Sequence, residues 1–552
     1  MTGHKKPGYI SPTAIAEAEK LFGVTYRGSD RAMLTETVAG QIERVLARRQ
    51  VTLPNALPPA TVFSIDPPKQ PRRKGRLRRS GGRAGPLPDN EEDIAFAPLT
   101  ALSAWIRNRR LSSVRLTEIY LDRLKRFGPK LECVVTLTEE LALKQAGRAD
   151  AEIAAGRYRG PLHGIPWGAK DLLDTAGIAT TWGAMPYRKR VPDQDAEVVR
   201  LLEEAGAVLV AKTTLGALAS GDVWFGGQTR NPWNPDEGSS GSSAGSASAT
   251  AAGLVGFSIG SETLGSIVSP CMRCGTTGLR PTFGRVPRTG AMALCWSLDK
   301  IGPICRSVED TALVLAVINA FDAQDPGSRD VVFDFDAKAA LEGLRVGYAP
   351  DWFEGEDATD ADRAALAATK SAGLELVEIA LPDLPYQSLY NILFAEAASS
   401  FEDLTLNGRV DQLVRQDSEA WPNMFRQARF LSAVDHIQTD RFRRLVMQMM
   451  AGLFDGLGAI LGPSFAGSMN VITNFTGHPS LTLPAGFVER TVRKSQARSI
   501  GGAAPVETGK GEVRTVPHGV TLWGPLFEEG TLCRIGMGLE AALGVRDRRP
   551  PL

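Results

Sequence analysis

The sequence predicts an α/β fold, a sheet layered by helices, with a helical extension at the N-terminus. Three observations carry this. Stretches of helical periodicity alternate along the chain with short apolar runs of strand length, at 165–170, 207–212, 344–348 and 459–463. The composition is that of an ordinary globular protein, 43% hydrophobic and 23% charged over 552 residues. Residues 231–270 are nearly free of charge and crowded with Gly, Ser and Ala, yet run straight into the apolar segment 249–259. Such a stretch reads as closely packed backbone and not as a linker.

Ser11 followed by Pro12 is a helix start, a capping hydroxyl and then proline in the first turn. Ala14, Ala16, Leu21 and Phe22 lie in the helical pattern behind it. A second pattern covers 30–49, with Met33, Leu34, Val38, Ile42, Val45 and Leu46 near helical spacing. Residues 53–65, broken by Pro54, Pro58 and Pro59, are expected to be extended. Residues 1–66 therefore read as a helical hairpin with an extended belt.

Residues 67–95 read as a basic linker. Lys69, Arg72, Arg73, Lys74, Arg76, Arg78, Arg79 and Arg83 occur with no acid among them. No aromatic residue interleaves to stack on bases, so a solvated strap is expected and not a nucleic-acid site. The main domain is placed at 96–552. Helices are expected within 99–126 and at 141–156, 196–205 and 309–320, with further helical segments between 351 and 456.

The formal net charge of +1 supplies no global field for nucleic acid. Six scattered cysteines make no disulfide framework and suit a reducing, cytoplasmic compartment. Cys271 and Cys274 form a lone C-x-x-C with no second pair at zinc spacing, so no metal is expected. The first residues lack the apolar core of a signal peptide, and no apolar run has the length of a membrane span.

A serine nucleophile needs a base. Gly241-Ser242-Ser243-Ala244-Gly245 fits G-x-S-x-G, and His436, His478 and His518 follow it in the chain. The match is cheap inside a Gly/Ser run, and no apolar strand precedes it. A second arrangement uses Lys170 in Gly164-Ile165-Pro166-Trp167-Gly168-Ala169-Lys170-Asp171, Ser242, and Ser266 in Gly260-Ser261-Glu262-Thr263-Leu264-Gly265-Ser266. Together with Asn231-Pro232-Trp233, Gly278-Leu279-Arg280-Pro281-Thr282-Phe283-Gly284-Arg285 and Asn474-Phe475-Thr476-Gly477-His478-Pro479-Ser480-Leu481, it resembles the amidase signature family of serine hydrolases from about residue 99 to 538.

The resemblance implies a mixed sheet covered by helices and a Ser–cisSer–Lys triad. Ser266 would be the nucleophile, Ser242 the bridging serine in a cis peptide, and Lys170 the base. Backbone N–H groups of Thr263, Leu264, Gly265 and Ser266 would form the oxyanion hole, with Ser243 and Glu262 in support. Burial among hydroxyls would keep Lys170 neutral, as a base must be. Lys212, His163 and His478 are read as structural. The chain departs from the family at Glu262 (usually Asp), Leu264 (usually Gly) and Val268 (often Arg). Leu264 cannot take cheaply the positive φ of a glycine, and it sets a side chain beside the oxyanion hole. The missing arginine disfavours an anionic substrate group there.

The expected activity is hydrolysis of linear amides through an acyl-enzyme on Ser266, without cofactor or metal. The substrate would be a small-molecule amide; no nucleic-acid or membrane partner is expected, and a homo-oligomer stays open. Phe394, Trp421, Phe425, Phe430 and Met447 are candidate liners of an acyl pocket, with core packing as their competing role. Two other readings remain. One is a glutamine- or asparagine-hydrolysing amidotransferase subunit, because the hairpin and its tail loosely resemble the small helical subunit that wraps such a protein. The other is a catalytically silent scaffold, prompted by Leu264.

Overall fold

The computed structural model describes residues 9–54, 60–61, 75–81, 85–493, 508–509 and 511–552. The extension is a helical hairpin, α1 (Pro12–Phe22) and α2 (Gly28–Arg49). Ser11 caps α1 through its hydroxyl, and Gly23 ends it in the left-handed region. The buried stripe consists of Ile15, Leu34 and Val38, closed by Phe430 from the body of the protein. Leu21 points to solvent at 84% exposure, so it belongs to the outer face of α1.

Arg49 pairs with Asp435 at 3.0 Å and ties the end of α2 to the main body. Of the belt, residues 55–59 and 62–65 lie outside the described residues. The described part of the basic stretch is bonded down: Leu77–Arg78 pairs in parallel with Phe335–Asp336, and Ser80 donates to both carboxylate oxygens of Glu309.

The body is built on a mixed sheet of 11 strands. In chain order these are β1 (Val134–Leu137), β2 (Pro166–Lys170), β3 (Val208–Thr213), β4 (Phe257–Glu262), β5 (Thr277–Arg280), β6 (Lys300–Cys305), β7 (Arg345–Tyr348), β8 (Glu375–Glu378), β9 (Ala459–Pro463), β10 (Ser480–Arg490) and β11 (Arg514–Trp523). Their order across the sheet is β8-β7-β9-β11-β10-β5-β6-β4-β2-β3-β1. β2 runs parallel to both β3 and β4, while β4, β6, β5, β10 and β11 form a continuous antiparallel run.

Every residue of β2 and β3 is buried. A strand covered on both faces needs a continuous apolar run, and this is why those two strands are readable in the sequence. Strands β1, β4, β5, β6, β8 and the β10–β11 hairpin were not expected. β4, β5 and β6 are buried almost throughout without alternation, so period two gives no signal there, whereas β10 and β11 are only partly buried.

The Gly/Ser/Ala stretch becomes α3 (Ala244–Ala251), all eight residues of which are buried. Its small side chains allow the close approach, and its hydroxyls are satisfied by neighbouring backbone: Ser246 donates to the carbonyl of Ile259 and Ser248 to that of Arg230. Among the described residues no helix is long and apolar enough to cross a membrane.

Candidate active site

Three segments converge at the C-terminal end of β2. The strand itself delivers Lys170, the turn before α3 delivers Ser242 and Ser243, and β4 with the turn beyond it delivers Ser261, Glu262 and Ser266. Lys170 is fully buried. Its Nζ lies 2.9 Å from Ser242 Oγ, 3.0 Å from Ser243 Oγ, and 2.8 and 3.2 Å from the hydroxyl and carbonyl oxygens of Ser261. None of these four partners is a carboxylate. Burial pushes the ammonium down to about 7, and the charges of Asp299 and Glu262 oppose this without cancelling it.

The Gly241–Ser242 peptide is cis. A side chain at Gly241 would meet the carbonyl of Gly221 at 1.9 Å, so only glycine fits there. The Ser243 N–H donates to the carbonyl of Ser266 at 3.1 Å and joins the turn carrying Ser242 to the turn carrying Ser266. Ser266 itself is 8% exposed. The hydroxyl of Ser243 donates to the Ser261 carbonyl and accepts from Lys170 and the Ser261 N–H. It is wholly buried and has no histidine partner among the described residues, so G-x-S-x-G finds no working geometry there.

Glu262 anchors the turn of Ser266. One carboxylate oxygen accepts the N–H groups of Ile267 and Val268, at 2.7 and 3.0 Å. The other accepts Arg280 at 2.6 Å and Asn474 at 2.8 Å. Burial alone would raise this carboxyl, but Arg280 and the hydrogen bonds hold it down at about 2. The extra methylene is thus accommodated with all four bonds made.

The left-handed residue of the turn is Gly265, with φ +88°, and Leu264 is not among the positive-φ residues. Leu264 is buried in the main core, so the conflict expected for it does not arise. Thr263 donates through its hydroxyl to Asp299 at 2.6 Å, and Asp299 also accepts the N–H groups of Leu294 and Cys295. Burial raises the Asp299 carboxyl.

A cleft of about 1020 Å³ opens beside this turn, with Ser261 and Thr263 in its lining. Of the five expected liners only Met447 reaches it. Phe394, Trp421 and Phe425 are in the main core, and Phe430 packs on the N-terminal hairpin. The walls come instead from residues such as Phe283, Met292, Trp296, His436 and Phe527, plus Ala60 and Thr61 of the extension. Sequence reasoning missed Ser261, Asp299, Arg280 and Asn474 as contributors. All four lay inside motifs of the resemblance, Ser261 in the one that carries Ser266, but no local pattern assigned them a role.

Lys212 is fully buried beside Asp171 at 3.3 Å and also donates to the Leu173 carbonyl and the Thr180 hydroxyl. His478 shares a hydrogen bond with the Thr476 hydroxyl at 2.7 Å and stacks on Phe454; burial pushes it down to about 3, so it stays neutral. His163 accepts the Arg159 N–H, and burial lowers it as well. Cys271 and Cys274 are buried on α4 (Val268–Cys274), their thiols pushed up by burial. Among the described residues no group of three or more His, Cys, Asp and Glu is placed to hold a metal.

The family model described as Amidase matches residues 115–533. The chain is 32% identical over 491 residues to a glutamyl-tRNA(Gln) amidotransferase subunit of Carboxydothermus hydrogenoformans, covering 83% of this chain and 100% of that protein. It is 34% identical over 478 residues to the AmiD protein of Mycobacterium bovis, covering 84% of this chain and 98% of that one. The native peptide amidase of Stenotrophomonas maltophilia superposes with a TM-score of 0.69 at 28% identity, over 83% of this chain and 98% of that one.

Proposed function

The chain belongs to the amidase family, and from that premise we propose that it hydrolyses the carbon–nitrogen bond of linear amides through an acyl-enzyme on Ser266. The observation that carries the mechanism is the setting of Lys170, buried, bonded to Ser242 and Ser243, and without a contacting carboxylate. Neutral Lys170 takes the proton of Ser242, and Ser242 takes that of Ser266. The Ser266 oxygen then attacks the amide carbonyl.

The four consecutive N–H groups from Thr263 to Ser266 receive the oxyanion, each such donor being worth about 3 kcal/mol. As the tetrahedral intermediate collapses, the proton returns through Ser242 to the nitrogen, which leaves as an amine. Water then enters by the same relay and releases the acid. No step calls for a metal or cofactor. The catalytic unit in this reading is 96–552, with 1–66 as a belt fused to it and 67–95 as the strap between them.

The test is labelling with a fluorophosphonate followed by mass spectrometry. The label is expected on Ser266 and should vanish in Ser266→Ala with the fold intact. A label that persists on Ser243 in that variant overturns the assignment. Likeness to an amidotransferase component favours a second reading, in which the chain releases ammonia for a partner. The hairpin bonded to the same chain supports the free-standing hydrolase. Turnover of simple amides by the purified chain alone separates the two.

A further inference from the structure

The extension reaches the cleft. One face of α5 (Ala433–Leu453) forms a wall through His436, Asp440, Arg443 and Met447, which recur at helical spacing. Described residues of the N-terminal extension are bonded to this same helix at several points. Arg49 is held by Asp435, and the Arg441 guanidinium donates to the carbonyl of Pro54. Further on, the Thr61 N–H donates to the Asp440 carboxylate at 2.8 Å and the Ala60 N–H to the Asp440 carbonyl at 3.2 Å. Arg444 closes the arrangement by donating to the Ala60 carbonyl at 3.0 Å.

Ala60 and Thr61 are thereby fixed by three hydrogen bonds to one helix, and both line the cleft that contains Ser261 and Thr263. Among the described residues the attachment uses backbone groups of Ala60 and Thr61 and not their side chains. A segment pinned by its backbone at a cleft wall presents its side chains as the variable part of that wall.

We propose that Ala60 and Thr61 are specificity-determining residues of the amidase reaction: the N-terminal belt sets the size of the amide that the cleft accepts. This rests on the functional reading above, because it takes the cleft to be where substrate binds. A small residue at 60 leaves room for a bulky group on the substrate; a large one removes it. The consequence is selective. An amide too small to reach the wall is indifferent to residue 60, whereas a large one is excluded by steric overlap with a wall that the three bonds to α5 keep from yielding.

The experiment uses the full chain and three probes: acetamide as the small substrate, and a decanoyl anilide and a tripeptide amide as bulky ones. In Ala60→Trp, and independently in Thr61→Trp, kcat/KM for at least one bulky probe should fall by about tenfold or more, the range that pocket size differences command. The acetamide value should stay close to that of the unaltered chain, which also reports that the variants fold. Ala60→Ser should behave as the unaltered chain on all three probes.

Bulky and small amides affected equally in both tryptophan variants, including loss of both, would overturn the proposal, since the effect would then be general. No effect on either bulky probe would overturn it too. An unaltered chain that neither turns over acetamide nor takes a fluorophosphonate label on Ser266 overturns the amidase reading itself, a failure distinct from that of the wall.

Discussion

Two buried lysines occupy neighbouring positions on parallel strands, one on each face of the sheet, and their surroundings differ. In the β2–β3 register, Ala169 faces Lys212 and Lys170 faces Thr213. Both side chains are fully buried, and burial lowers the pKa of both. Lys170 is surrounded by three serine hydroxyls and a carbonyl. Lys212 has the Asp171 carboxylate at 3.3 Å, and that charge acts against its loss of a proton. Hydroxyls solvate a neutral amine and can pass protons to it; a buried carboxylate locks an ammonium in place. The difference between the proposed base and a structural lysine therefore lies in the partners and not in burial.

The largest effect should come from breaking the first of the pair. Lys170→Met keeps the volume and removes the proposed base. Amide turnover should fall by about 10⁴-fold, the upper range for loss of general acid–base catalysis. Ester turnover should fall less, because an alkoxide leaves without the protonation that an amine needs. Circular dichroism and the melting temperature should show an intact fold. Equal losses on ester and amide substrates would remove Lys170 from the proton path to the leaving group.

The second lysine should answer in stability and not in rate. Lys212→Met leaves the carboxylate of Asp171 buried without its cation, and removing one partner of a buried pair costs about 3–5 kcal/mol. Denaturant unfolding measures this. Adding Asp171→Asn should recover part of the loss, and the folded fraction of either variant should keep its turnover number. A Lys212→Met chain as stable as the original would mean that the pair carries no charge in the fold.

Neither role is written in the strand itself. Gly168-Ala169-Lys170-Asp171 and Val210-Ala211-Lys212-Thr213 both place a lysine at or next to the end of an apolar strand, and local pattern treats them alike. The resemblance to a family separated them, because it tied Lys170 to two serines far along the chain. The helices of the extension and those at 99–131, 139–154, 197–204 and 308–318 were legible from periodicity, and β2, β3, β7 and β9 from their apolar runs; α3, α4 and the helices Met469–Thr476 and Glu529–Leu543 were not expected. β4, β5 and β6 were not legible either, because strands buried on both faces carry no alternation, and β1, β8 and the partly buried β10–β11 hairpin were missed as well. The cleft walls were the least legible. Aromatic content pointed to Phe394, Trp421 and Phe425, which fill the core, whereas Ala60, Thr61 and Asp299 reach the cleft through tertiary routes that no local window contains.

The smallest effect, and the one that sharpens the comparison most, is the pH dependence. Burial holds Lys170 down at about 7, so it is protonated and idle below that pH and neutral above it. Turnover should rise with pH through about 7, roughly tenfold per unit on the acid side, and then level off. The same shift has a thermodynamic face. Between about 7 and the ordinary lysine value of 10.5 the unfolded chain holds a proton that the folded chain has released. Stability from this group therefore rises with pH across that window, and Lys170→Met should remove the rise. The charges that bear on Lys170 are those of Asp299 and Glu262, and Lys212 is not among them. Lys212→Met should accordingly leave the acid limb where it is while lowering stability at every pH. A limb that moves in Lys212→Met, or a profile that falls from acid toward neutral pH, would place the base elsewhere. A limb near 7 that stays put, in a chain visibly less stable, would separate the two lysines by function as cleanly as their partners separate them in space.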